Sequence, residues 1–148
     1  MSDTEIDAFW AEFSSTNVVE ADYEAWAFGL GTDPAFATKL ALLVRDGPKR
    51  ATAGVLDDWG DEPLPQEGDH SVILDGEGRP VCIIRTTEVT VKPFGQVDAA
   101  FAWDEGEGDR TLGWWRKAHV EFFARDGVEV SDETEMILER FDLVWPVD

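Results

Sequence analysis

The sequence holds one cysteine, Cys82, and two histidines, His70 and His119. A single thiol excludes an internal disulfide and any multi-cysteine zinc site. There is no run of 18 apolar residues, and the chain opens on Met1-Ser2-Asp3-Thr4-Glu5, acidic where a secretory leader is basic and then apolar. Neither a membrane partner nor export is therefore expected, and a soluble cytoplasmic protein is. Positive charge is scarce as well. Twelve lysines and arginines face 32 acidic residues, and the formal net charge is −20. Proteins that hold long nucleic acid gain affinity by releasing counterions with basic residues, so DNA is not an expected partner. Extended RNA is disfavoured for the same reason, unless arginines such as Arg45, Arg50, Arg85 and Arg116 gather locally. The plain reading of the charge is a solvated acidic shell, serving solubility or adaptation to high salt.

What is present describes a folded domain. With 43% hydrophobic and 11% aromatic residues in 148, the chain can bury a core and needs no second domain. Ser2-x-x-Glu5 has the form of a capping box, and Ile6, Phe9, Trp10 and Phe13 follow at helical spacing. Trp10 belongs to packing there, either inside the molecule or against a second subunit, which leaves room for a homodimer. Tyr23 to Phe28 reads as one or two further helical turns, ended by Gly29 and Gly31. The clearest helix starts at Asp33-Pro34, carries Phe36, Leu40, Leu43 and Val44 on one face, and stops at Gly47.

Strand patterns follow at Ala51 to Leu56, His70 to Leu74, Val81 to Arg85 and Glu88 to Val91, with Asp75 to Pro80 as a hairpin loop and Asp57 to Gly68 as an acidic loop. A helix from near Thr111 carries Leu112, Trp115, His119, Phe122 and Phe123 and ends at Gly127. A last strand runs from about Met136 to Trp145. The expected fold is α+β, helices flanking a mostly antiparallel sheet or small barrel.

Chemistry concentrates at Gly47-Pro48-Lys49-Arg50-Ala51-Thr52, where one of four lysines stands three residues before a threonine. A desolvated, neutral amine could take the proton of a neighbouring hydroxyl, although the pair converges only if the chain bends between them. A helix cap and a solvated lysine explain the same residues without chemistry. Asp104, Glu105, Glu107 and Asp109 offer oxygen ligands to a divalent ion, but their spacing matches no metal loop, and no metal site is assigned. His119 lies on an apolar helix face, where a structural histidine is the common case. Of seven tryptophans, Trp26 beside Phe28 is the first choice as a platform for a base, with Trp115 on the last helix.

Taken with Glu67-Gly68-Asp69, Arg85-Thr86-Thr87-Glu88-Val89 and the segment from Glu105-Gly106-Glu107-Gly108-Asp109 to His119, Gly47-x-Lys49-x-x-Thr52 resembles the G-x-K-x-x-[ST] signature of the ASCH-domain family, in particular the small bacterial members. The resemblance runs from about Tyr23 to Val144. It implies a PUA-like β-barrel at residues 23–148, preceded by a helical extension at 1–22. It also implies one of three activities: amide hydrolysis on a modified nucleoside of the N4-acetylcytidine type, cleavage of single-stranded RNA, or RNA binding without catalysis. The catalytic lysine, threonine and glutamate of the amidohydrolases would be Lys49, Thr52 and Glu88. Trp26, Phe28, Arg50, Arg85, Trp115 and His119 would contact a small nucleoside or short RNA. No cofactor is expected, except a divalent metal under the ribonuclease reading. Two schemes stay open: Lys49 as the base for Thr52, or Glu88 activating water while charged Lys49 stabilises the oxyanion.

Overall fold

The computed structural model describes residues 2–17, 22–29 and 33–146, with side chains from residue 4 onward. Among them are four α-helices, α1 Ser2–Thr16, α2 Pro34–Asp46, α3 Ala99–Glu105 and α4 Leu112–Arg125. Five strands, β1 Tyr23–Ala27, β2 Ala51–Val55, β3 His70–Leu74, β4 Pro80–Pro93 and β5 Glu135–Trp145, form one sheet in the order β1-β3-β4-β5-β2. β1 and β3 run parallel and the remaining pairs are antiparallel. The result is the expected α+β architecture, a mixed sheet curled into a half-barrel. The capping box at Ser2 and the stop at Gly31 lie outside the described residues.

The curl comes from the two long central strands. β4 pairs with β5 over most of its length, and the register shifts at Ile83/Ile84 and again at Thr86/Glu88. A bulge adds local twist and bends the strand that carries it, so the sheet folds over its own face. The same irregularity explains why the sequence reads as two strands, Val81 to Arg85 and Glu88 to Val91. They are one strand, with Thr87 as the residue left over between the two paired stretches.

Tyr23 to Phe28 forms no helix. Its first five residues are strand β1, paired in parallel with β3 from Tyr23↔His70 to Ala27↔Leu74. Five residues are too few for periodicity to separate helix from strand, and the edge of β3 decides the matter. α3 is the other departure, since the sequence reading placed no helix there. Asp98 caps it by accepting from the Phe101 amide at 2.9 Å, and Phe101 and Ala102 are buried beneath it.

Three apolar clusters hold the layers together. α2 packs Leu40, Ala41 and Val44 on Ile73, Ile84 and Phe141. α3 and α4 pack Phe101, Trp115 and Phe123 on β2 and β5. α1 lays Ile6 and Phe13 over Val72 and Ile83, and Trp10 stacks on Tyr23 with ring centroids 4.6 Å apart, so Trp10 packs within the molecule. These contacts leave the concave side of the sheet open between the end of α2, β1 and α4.

Candidate functional site

The site begins at the end of α2. Arg50 turns back on the helix it follows, and its guanidinium donates to the carbonyls of Val44 at 3.0 Å, Gly47 at 3.3 Å and Lys49 at 2.6 Å. A cation there satisfies carbonyls that a helix end leaves unpaired. Arg50 is thereby a strut, directed away from any ligand. The Arg50 amide is tied to the Asp104 carbonyl at 2.7 Å, which draws the end of α3 against the start of β2. Lys49, one residue earlier, points inward and is 1% exposed.

The Lys49 ammonium donates to the Ala51 carbonyl at 2.8 Å, to Glu105 Oε1 at 2.9 Å and to Glu107 Oε2 at 2.8 Å. Burial pulls the Lys49 pKa down, but the two carboxylates outweigh it and hold it above its ordinary value. Gly106 makes this possible. It stands at φ +69°, and a Cβ on it would come within 2.8 Å of the Lys49 backbone nitrogen. Glutamates 105 and 107 therefore reach the same amine around a residue that only glycine can be.

Glu105 is fully engaged. Its Oε2 accepts from the Trp115 indole and from His119 Nε2 at 3.0 Å, while His119 Nδ1 lies 2.8 Å from the Trp115 carbonyl. Burial pushes Glu105 up, yet Lys49 and His119 outweigh it and hold the carboxyl far below the usual range. Burial pulls His119 down, and Glu105 with the Trp115 carbonyl more than reverses it. With an acceptor facing each ring nitrogen, the surroundings of His119 favour the doubly protonated imidazolium. Glu107 differs: burial raises its pKa and neighbouring Glu105 adds to the rise, which Lys49 only partly offsets. It is the carboxyl of the cluster whose surroundings favour the protonated form.

Glu105, Glu107 and His119 offer donor atoms within 4.8 Å of one another, the grouping a metal would need. The Lys49 ammonium stands where the cation would stand, and His119 points a proton at Glu105. The donor set does not fit a divalent ion. The other two acids of that segment are committed elsewhere, Asp104 to Arg140 Nε at 2.9 Å and Asp109 to the Thr111 amide at 2.9 Å.

Above the cluster opens a cavity of about 1020 Å³. Trp26, Phe28, Phe36, Trp59, Trp114 and Phe122 supply aromatic wall, and Lys49, Thr52, Glu105, Glu107 and His119 lie at one side. Eight carboxylate residues line it against three lysines and arginines. Lys49 and Thr52 thus share the cavity, as do Trp26, Phe28 and His119. Trp115 is buried behind, stacked on His119 at 4.1 Å between centroids.

Glu88 is not brought to this place. It is exposed on β4, 3.3 Å from Arg140 Nη1, and does not line the cavity. The arginines do not gather there either. Arg85 is exposed across from His70, Arg45 pairs with Asp46, and Arg116 donates to the carbonyls of Gly95 and Val97. The cavity also holds Thr86, quoted in the sequence only as part of a motif, and Glu139, given no role there. Glu139 carried a signal: it is the carboxylate inside Met136-Ile137-Leu138-Glu139-Arg140-Phe141, a strand whose neighbours are core. Cys82 is inert, its thiol pushed up by burial to about 12.

A curled, mixed five-stranded sheet flanked by helices is the architecture of a known class of domain. The ASCH domain family model matches residues 24–145, and the chain belongs to that family. It is 32% identical to an ASCH domain from Lactobacillus crispatus JV V101, with 95% of this chain and 94% of that one covered and a TM-score of 0.81. A protein from Enterococcus faecalis V583 is 30% identical over 96% of this chain and 91% of that one, with a TM-score of 0.83. No curated protein matches the chain. Among the described residues no helix is long and apolar enough to cross a membrane.

Proposed function

We propose that this ASCH protein hydrolyses an amide on the exocyclic amine of a modified nucleoside of the N4-acetylcytidine type, with Lys49, Thr52 and Glu107 as the working set. The observation that carries the reading is Glu107, a carboxyl with a raised pKa held by a buried ammonium at the side of an aromatic-walled cavity. Lys49 has three protons and three close acceptors, so as an ammonium it has neither a lone pair for Thr52 nor a proton to spare. It fixes the place and charge of Glu107. The carboxylate of Glu107 takes a proton from water as the oxygen attacks the acyl carbon, and returns it to the nitrogen as the C–N bond breaks. The Thr52 hydroxyl, which makes no hydrogen bond among the described residues, donates to the oxyanion. In this assignment Glu107 takes the role the resemblance gave to Glu88.

The lining favours a small ligand without phosphates. Eight carboxylates would repel an RNA backbone, and the four arginines that would make a basic patch point elsewhere. The test is chromatographic turnover of N4-acetylcytidine by the wild type, Glu107→Gln, Thr52→Val and Glu88→Gln, with single-stranded RNA in parallel with and without EDTA. EDTA-insensitive deacetylation, lost at least about a hundredfold in Glu107→Gln and kept within about twofold in Glu88→Gln, is expected. Full activity in Glu107→Gln, or EDTA-sensitive RNA cleavage without deacetylation, would overturn the reading.

A further inference from the structure

We propose that Glu139 and Thr86 form a second recognition pole in the cavity, which binds the sugar hydroxyls of a nucleoside and turns away its 5′-phosphate. The inference rests on reading the cavity as a nucleoside site, and it deepens that reading. Glu139 lies on β5 directly across from Thr52, in register Thr52↔Glu139. Facing side chains on adjacent antiparallel strands stand about 5 Å apart at Cβ. The pole is thus one strand away from the reacting residues, about the separation of a base from its own ribose.

Glu139 is 7% exposed and lines the cavity. Its Oε2 accepts from the Thr86 hydroxyl at 2.6 Å, whereas Oε1 has no hydrogen bond and the residue has no ion pair among those described. The protein thus pairs one oxygen of this mostly buried carboxyl and leaves the other to whatever enters the cavity. Glu105, more deeply buried at 1% exposed, has both oxygens paired, with Lys49, Trp115 and His119. Glu139 has one paired, and the charged groups that act on it are Asp69 and Glu24, both acidic. Oε1 is not sealed off, and on the cavity wall it is free to accept from a hydrogen-bond donor on a ligand. Hydroxyls can donate to it without a charge, and a phosphate at this pole meets three carboxyl groups, with no lysine or arginine acting on Glu139.

Isothermal titration with N4-acetylcytidine, its 5′-monophosphate and the free base N4-acetylcytosine, on the otherwise wild-type chain, Glu139→Gln and Thr86→Val, all three carrying Glu107→Gln so that no ligand is consumed, tests this independently of turnover. The otherwise wild-type chain should bind the nucleoside at least about tenfold more tightly than the monophosphate. Glu139→Gln should weaken nucleoside binding about tenfold, narrow the gap to the monophosphate and leave the free base unchanged. Thr86→Val, nearly isosteric, should shift the same ratios in the same direction, and it keeps the test open if Glu139→Gln does not fold. Equal binding of nucleoside and monophosphate by the otherwise wild-type chain, or equal losses for nucleoside and free base, would overturn the proposal while leaving hydrolysis standing. Sugar-dependent binding without turnover would sink the hydrolase and keep the pole. No binding of any of the three would sink both.

Discussion

Replacing Lys49 by methionine keeps most of the side chain's volume and deletes one buried charge. Glu105 then keeps Trp115 and His119, but Glu107 loses its only ion-pair partner among the described residues while remaining mostly buried. Breaking a buried ion pair from one side costs about 3–5 kcal/mol, because the remaining charge is left without compensation. For a chain of this size each kcal/mol moves the midpoint by about 2–4 °C, so a fall on the order of 10 °C is expected near neutral pH. Acid should relieve it. Glu107 already has a folded pKa above its ordinary value, and losing Lys49 raises it further. A carboxyl of that kind stabilises the fold below its unfolded pKa of 4.5, and loses that contribution as pH rises through the folded value. The gap between wild type and variant should therefore be widest above pH 7 and shrink by about 1–3 kcal/mol toward pH 5. Urea unfolding of both proteins at pH 7.5 and 5.0 measures it. A deficit below about 1 kcal/mol, or one equal at both pH values, would refute the buried, doubly paired ammonium.

Three further outcomes follow from the same cluster. Gly106→Ala forces a Cβ onto the Lys49 backbone at a left-handed φ, and should cost at least about 1–2 kcal/mol by chemical denaturation. A neutral variant would mean that the turn can move away from Lys49. His119, with its pKa raised, stabilises the fold below 6.5 and loses that contribution as pH climbs through its folded value, so His119→Gln should flatten the alkaline limb of the stability curve. Nitrogen NMR of the wild type at pH 7 should find both ring nitrogens protonated; a neutral tautomer there would refute the imidazolium. Glu105, with its pKa depressed, stabilises above 4.5 and loses that contribution as pH falls, so Glu105→Gln should lower stability at pH 7 and have less effect near pH 3.

Local chemistry in the sequence determined a good deal by itself. Asp33-Pro34 and Gly47 bracket α2 because a cap, a preset φ and a helix stop act within a few residues of where they stand. The hairpin at Asp75 to Pro80, the long α4 and the place of Lys49 and Thr52 are legible for the same reason. Composition set the sign of the surface, and with it the case against a polyanion.

Tertiary structure alone decided the rest, wherever the partner is remote in the chain. Tyr23 to Ala27 is a strand only because β3 offers an edge 47 residues later. Thr87 is a bulge only because β5 runs alongside. The family resemblance joins Glu88 to Lys49, but the pleat and the bulge of β4 send it outward to Arg140, while a glycine turn more than 50 residues away brings two other glutamates to the amine. Whether a lysine is a base or a fixed cation depends on what surrounds its nitrogen. That surrounding is assembled from α3, the turn after it and α4, which no window of neighbouring residues contains.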